Sequence, residues 1–166
     1  MADFTLSEDQ KQIQDMMRKF AEKELRPVAR DCDEQDKLPG DLLEKVWALG
    51  FCPNLIPEKY GGYEMGRSTL HAAIMAEELA WGDASLAIGA LSPLLMAIPV
   101  LEFGTEEQKE EWLPKFCGGK FYPATAALME RRITFEPTVL HTMVEIHKDS
   151  MVLNGAKCMV PLAAEA

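Results

Sequence analysis

For roughly the first 118 residues, apolar positions recur at helical spacing, and after that the spacing changes. The longest apolar stretch is Ala84 to Leu101, ASLAIGALSPLLMAIPVL, eighteen residues without a charge between Asp83 and Glu102. A helix apolar on nearly every face must be buried all round. This run is therefore expected to be the core helix around which the others pack. It also meets the bare length of a membrane span. Pro93, Pro99, Ser85 and Ser92 interrupt it, its flanks are acidic, and no aromatic belt brackets it. The expectation is a buried helix and no membrane.

The other helical segments are amphipathic and carry their own start and stop signals. Ser7-Glu8-Asp9-Gln10 has the form of a capping box, and Ile13, Met16, Met17, Phe20 and Ala21 form one apolar face behind it. Pro27 predicts a kink or a restart. Asp41 is the expected N-cap of a short second helix with Leu42, Leu43, Val46, Trp47 and Leu49 apolar, and Gly50 suits a left-handed stop. The stretch FCPNLIPEKYGGYEMG, with two prolines and three glycines, predicts a non-helical crossing. Gly61-Gly62 lies outside any phosphate-loop pattern and reads as a turn. Ser68 caps a third helix through Leu70, Ile74, Met75 and Leu79. The neighbouring Glu77 and Glu78 point about 100° apart, so they cannot act as a catalytic pair. One faces solvent and the other needs a buried partner. Asp83 caps the apolar run, and Thr105-Glu106-Glu107-Gln108 is a second capping box, opening a helix that ends near Phe116.

Beyond Gly119 the pattern turns to strands. Phe121 to Leu128 reads as extended, Thr138 to Ile146 alternates in part, and Lys148-Asp149-Ser150 reads as a turn. Met151 to Val160 reads as a further strand with Asn154-Gly155 as a bend inside it. The expected division is a helical domain over residues 1–119 and the beginning of a β domain over 120–166. A sheet of two or three strands is marginal by itself, so more polypeptide, or a partner, is expected beyond Ala166.

Charge and cysteine content narrow the classes. A net charge of −10 argues against nucleic acid and anionic membrane surfaces. Cysteines 32, 52, 117 and 158 form no C-x-x-C pair, which suits reduced thiols and a cytoplasmic location rather than a zinc site. His71, His141 and His147 show no metal spacing, and the first ten residues carry no secretory h-region.

Five stretches together resemble the acyl-CoA dehydrogenase flavoenzymes, in the order and at the spacing of that family. They are FTLSEDQKQIQDMMRKFAEKELRPVARDCDE, LLEKVWALGFCPNLIPEKYGG, AAIMAEELAWGDASLAI, EFGTEEQKEEWLPKFCGGK and VLNGAKCMV. The resemblance implies a mostly α chain: an N-terminal orthogonal helical domain followed by the first strands of a β-barrel-like middle domain. It implies FAD as cofactor, an acyl-CoA substrate oxidised at its α,β-bond, electron-transfer flavoprotein as acceptor, and a homo-oligomer for the full-length protein. The catalytic base of the family lies in a later domain, so no catalytic residue is expected here. A non-catalytic acyl-CoA- or protein-binding module with a degenerated flavin site is the alternative.

By the same resemblance, the flavin-contacting positions are Leu128, Met129, Glu130, Met159 and Pro161. Leu128 and Glu130 match the family's Leu-Thr-Glu-Pro pattern. Met129 stands for its hydroxyl residue, Arg131 stands for its proline, and the family's next element, a glycine-serine loop, is absent. In Lys157-Cys158-Met159-Val160-Pro161-Leu162, Met159 stands for a tryptophan and Pro161 for a threonine. A thioether accepts hydrogen bonds only weakly, although it can press a polarizable surface on a ring. Arg131 and Arg132 are candidates to pair with phosphate. Leu91, Leu94, Leu95 and Ile98 are candidates for the wall of an acyl pocket.

Overall fold

The computed structural model describes residues 5–166, so the expectations that touch Met1–Phe4 lie outside the described residues. Helix α1 (Glu8–Phe20) starts at Ser7, which forms the predicted capping box with Gln10. It runs into a π-helical turn, Ala21–Leu25, closed by Arg26 N–H donating to Ala21 O at 2.9 Å. The wide turn precedes Pro27, whose ring removes a donor and crowds the preceding turn. The chain restarts as α2 (Ala29–Glu34).

Helix α3 (Gly40–Trp47) corrects one expectation. Its N-cap is Pro39, and Asp41 lies inside the first turn without a capping bond, where its charge still suits the helix dipole. Gly50 takes the left-handed φ of +78° as expected. The crossing after Gly50 is not free of helix, a second correction. Phe51–Leu55 forms α4 and Glu58–Tyr60 a 3₁₀ turn. Pro53 is tolerated because the amides of a first helical turn have no intrahelical acceptor to lose. Gly61 has a φ of +91°, and Gly62 is packed so closely on the Ile56 carbonyl that a Cβ would lie 1.9 Å from its oxygen.

Ser68 caps α5 (Thr69–Gly82), and Asp83 caps α6 (Ala84–Leu91), both as predicted. The apolar run does not continue as one helix buried all round. It breaks at Ser92-Pro93 and resumes as α7 (Leu94–Phe103). Only 39% of its most apolar window is buried, and Ile88 and Leu95 are exposed. The break has a reason in packing. Helix α6 feeds a first core with Leu25, Leu42, Val46 and Leu79, while α7 feeds a second with Trp47, Ile56, Leu113 and Phe116. Ser92 and Pro93, both fully buried, mark the passage from one core to the other.

Helix α5 lies along α1 and the π-helical turn and leads into α6. Gly82 sets its closest approach to the π-helical turn, since a Cβ there would meet Ala21 Cβ at 2.9 Å and Leu25 Cβ at 3.0 Å. Glu78 is 2% exposed and receives hydrogen bonds from Gln14 at 3.0 Å and from Arg18, the buried partner that one of the two glutamates required. Thr105 completes the second capping box, opening α8 (Glu106–Trp112) and a 3₁₀ turn, Leu113–Cys117. Burial in the second core pushes the Cys52 thiol up to about 12.

The end of the helical body anchors the segment beyond it. Trp47 Nε1–H donates to Gly118 O at 2.7 Å, Phe121 N–H donates to Glu44 Oε2 at 2.9 Å, and Trp47 meets Phe121 edge-on at 5.5 Å. Residues 121–128 then run without helix or strand. The strands are shorter than expected. Strand β1 (Met143–Ile146) pairs antiparallel with β2 (Met151–Asn154), with Met143 opposite Asn154 and Ile146 opposite Met151. His147 N–H donates to Ser150 O across the turn. Gly155 ends β2 rather than bending it, pressed against Thr142, where a Cβ would lie 2.4 Å from Oγ1.

Candidate functional site

Two segments far apart in sequence are tied together after the helical body. Cys158 N–H donates to Met129 O at 2.9 Å. Lys157 Nζ donates to Leu128 O at 3.2 Å and to Glu130 Oε1 at 3.0 Å. Glu130, flanked by exposed Met129 and Arg131, is itself 4% exposed. Its carboxylate also accepts from His141 N–H at 2.8 Å, Thr142 N–H at 2.9 Å and the Thr142 hydroxyl at 2.7 Å. Arg132 Nη2 lies 3.7 Å from its second oxygen. The His141 amide, then the Thr142 hydroxyl and amide, hold this carboxyl far below the usual carboxylate range; Lys157 adds to them against the effect of desolvation.

Around this buried anion the expected flavin-contacting side chains lie outward. Leu128 is 49% exposed, Met129 39% and Met159 81%, while Pro161 is half-buried in the turn after residue 160. Met159 has a φ of +50° and Leu162 one of +49°. Left-handed backbone on a side chain without local hydrogen-bonding groups costs on the order of 1–3 kcal/mol and concentrates at functional sites. Leu128, Met129 and Met159 thus sit as exposed apolar side chains on two segments that the main chain holds together.

The two arginines divide. Arg131 is exposed and makes no ion pair with another described residue. Arg132 is not available to phosphate as expected, because it closes its own loop. Its Nη2 donates to Val139 O and to Glu136 O at 3.4 Å, Nη1 lies 3.4 Å from His141 Nε2, and Phe135 lies under the guanidinium. The loop thus takes the main-chain carbonyls of residues 136 and 139 as its internal acceptors.

The four acyl-wall candidates are not gathered into one cavity. Leu91 packs on the first core and Leu94 on the second, Leu95 is 44% exposed, and Ile98 is half-buried. They straddle the Ser92-Pro93 break. A cleft of about 420 Å³ lies instead between α2 and the start of α3, beside Cys32 and Leu38. Another of about 270 Å³ lies among Leu43, Phe121 and Leu162. Among the described residues no cluster of His, Cys, Asp and Glu is fit to hold a metal.

The family model for the N-terminal domain of acyl-CoA dehydrogenases matches residues 7–120, more than two thirds of the chain. The chain belongs to the acyl-CoA dehydrogenase family. A probable mitochondrial medium-chain specific acyl-CoA dehydrogenase of Caenorhabditis briggsae is 31% identical over 157 residues, which are 95% of this chain and 38% of the relative. A glutaryl-CoA dehydrogenase of Desulfococcus multivorans is 30% identical over 99% of the chain and 42% of its own length. Solved structures agree. Glutaryl-CoA dehydrogenase in complex with glutaryl-CoA superposes with a TM-score of 0.79 at 27% identity, covering 99% of this chain and 42% of that one. A chain solved in work on the electron transferring flavoprotein of Acidaminococcus fermentans superposes with a TM-score of 0.78 at 32% identity, covering 99% and 43%. The glutaryl-CoA dehydrogenase of Mycobacterium smegmatis, solved in complex with FADH2, superposes at 0.77 and 25% identity over 93% and 39%. This chain of the acyl-CoA dehydrogenase family therefore spans about two fifths of the length of the relatives it matches.

Three residues that the structure brings to the centre of the site were not among the sequence candidates: Lys157, His141 and Thr142. Lys157 carried a signal, since it directly follows Asn154-Gly155-Ala156 and opens the stretch 157–162 that the family resemblance assigns to the flavin. His141 contributes a main-chain amide, which every residue type but proline supplies, and Thr142 contributes an amide and a hydroxyl from a stretch that no motif marked.

Proposed function

We propose that this chain forms the N-terminal part of an FAD-dependent acyl-CoA dehydrogenase, which oxidises the α,β-bond of an acyl-CoA thioester. The reading is carried by the pairing of segment 128–130 with segment 157–159, the two stretches that the family resemblance assigns to the flavin, found here hydrogen-bonded to each other. The residues present fit a flat apolar ring. Leu128, Met129 and Met159 offer exposed apolar surface, Glu130 orients the main chain behind them, and Pro161 closes the end of the second segment. FAD would supply the acceptor for the β-hydride.

What this chain's own residues do is bind and shape. Arg131, exposed beside the apolar ledge, is the cation placed to meet a phosphate. Of the acyl-wall candidates, Leu91 and Leu94 back the two cores, and Leu95 and Ile98 on α7 are the ones proposed to face an acyl chain. Leu95, the most exposed of them, is the side chain most open to an acyl chain. The base that removes the α-proton has no counterpart in these residues and is supplied from elsewhere in the protein. Electron-transfer flavoprotein is the proposed acceptor, supported by the likeness to a chain from the electron transferring flavoprotein work. Homo-oligomerisation of the full-length protein is part of the same reading.

One observation favours a second reading, a non-catalytic acyl-CoA- or protein-binding module. Arg132 closes the loop 132–141 on itself where the family resemblance calls for a glycine-serine loop, and Met129 stands where it calls for a hydroxyl residue. The visible spectrum of the full-length gene product, before and after a series of acyl-CoAs, decides between them. An oxidised-flavin spectrum bleached by one chain length supports the dehydrogenase. Absence of a flavin band after incubation with excess FAD, with acyl-CoA still bound, supports the module.

A further inference from the structure

We propose that Glu130 is a positioning residue whose buried carboxylate, joined to Lys157 and to the amides of His141 and Thr142, fixes segment 128–130 against segment 157–159. This rests on the flavoenzyme reading, because those two segments carry Met129 and Met159.

The geometry separates this carboxylate from an ordinary ion pair. A carboxylate offers about four acceptor sites, and Glu130 receives four donors from three residues, the Thr142 amide and hydroxyl and Lys157 on Oε1 and the His141 amide on Oε2. Two donors are main-chain amides, so they hold backbone rather than mobile side chains. Lys157 Nζ reaches past the carboxylate to Leu128 O, so one ammonium bridges both ends of the first segment. The Cys158 amide then registers on the Met129 carbonyl between them. Gly155 belongs to the same arrangement, since any side chain there would strike the Thr142 hydroxyl that donates to Glu130. Arg132, 3.7 Å from the second oxygen, adds a second cation to one anion and is itself fixed by the loop it closes. Exposed surface pairs contribute little because water competes for both ions. At 4% exposure Glu130 escapes that competition, and removing a partner leaves charge or amides unsatisfied.

The consequence is geometric control of a ring-binding ledge by a residue that does not touch the ring. Glu130→Gln keeps the volume but turns one acceptor oxygen into an NH2 facing donors. Lys157→Met removes the ammonium and keeps the stem, and Lys157→Arg restores a cation.

The test uses the full-length protein with FAD as probe, reading FAD affinity, the visible circular dichroism of the bound flavin, and hydrogen exchange by peptide. Glu130→Gln and Lys157→Met are each expected to weaken FAD binding by about tenfold or more. They are also expected to alter the flavin dichroism and speed exchange at His141, Thr142 and Cys158, with α5 and α6 unchanged. Lys157→Arg regains most of the affinity. Wild-type affinity and dichroism in both Glu130→Gln and Lys157→Met overturn the inference alone, as does faster exchange with no flavin effect. Loss of protection in α5 and α6 as well also overturns it, since the role would then be general stability. A wild-type protein that takes up no FAD overturns the flavoenzyme reading, and this inference falls with it.

Discussion

Two glycines show how differently one added carbon acts. At Gly62 the new Cβ would meet main chain, the Ile56 oxygen at 1.9 Å, and main chain inside a packed turn has nowhere to move. At Gly89 it would meet the Leu38 Cδ2 at 2.5 Å, the far end of a side chain that can change rotamer. Overpacking costs typically about 1–3 kcal/mol. Gly62→Ala is therefore expected at or beyond the upper end and Gly89→Ala near the lower, measured as urea midpoints at constant m-value. A second residue-scale expectation concerns Glu106. The Tyr60 hydroxyl at 2.8 Å and Lys59 at 3.0 Å hold it down to about 2, while Tyr60 and Glu106 raise Lys59 to about 12. A lowered carboxylate stabilises above its unfolded value of 4.5 and loses that contribution as pH falls toward 2. A raised lysine stabilises below 10.5 and loses its contribution as pH rises through 12. The stability gap between wild type and Glu106→Gln should be level from about pH 5 to pH 10 and close on the acid side, read from melting temperatures across pH.

At the scale of the element, α1 and α5 are joined through one buried charge. Glu78 faces α1 at 2% exposure, and its cation is Arg18, which also lies 3.9 Å above the Trp81 ring. Arg18→Met removes the partner and leaves Gln14 alone beside a buried carboxylate, a loss of about 3 kcal/mol. Glu78→Gln in the same background should recover much of it by removing the uncompensated charge, and a double-mutant cycle reads the coupling. The element scale also shows what sequence could and could not convey. Caps at Ser7, Ser68, Asp83 and Thr105 were legible because each is a local bargain between one side chain and an amide three residues on. The cap of α3 was misplaced at Asp41 because Pro39 already fixes the backbone there. Helix α4 was hidden by prolines and glycines that mark turns in most contexts, and the prolines and serines that interrupt the apolar run did not say which of them breaks the helix. Only tertiary packing shows that Ser92-Pro93 is where the chain changes cores.

Across the whole molecule, the candidate site was legible as a place and not as an arrangement. Leu128, Glu130 and Met159 could be named from the motif residues. The contacts of Glu130 could not be, because its donors lie 11, 12 and 27 positions away and two of them are main-chain amides. The same long range leaves a contrast in stability. Leu25, Leu79, Leu113 and Phe116 are fully buried in two helical cores, whereas all eight residues of β1 and β2 are exposed on both faces. A lone two-stranded hairpin is marginal, and protection against exchange tracks buried apolar contact. In a protein of these 166 residues alone, amides of Met143–Asn154 should exchange within seconds to minutes while those of Leu79 and Leu86 persist far longer. His141, Thr142 and Cys158, held by Glu130 and Met129, should fall between the two. Exchange measured by mass spectrometry with peptide resolution would order them. If the hairpin proves as protected as α5, the exposed faces are covered by self-association, which a concentration series would reveal. If His141 and Thr142 exchange as fast as the hairpin, the carboxylate beneath them does not hold the loop, and the ledge of Met129 and Met159 has no fixed support.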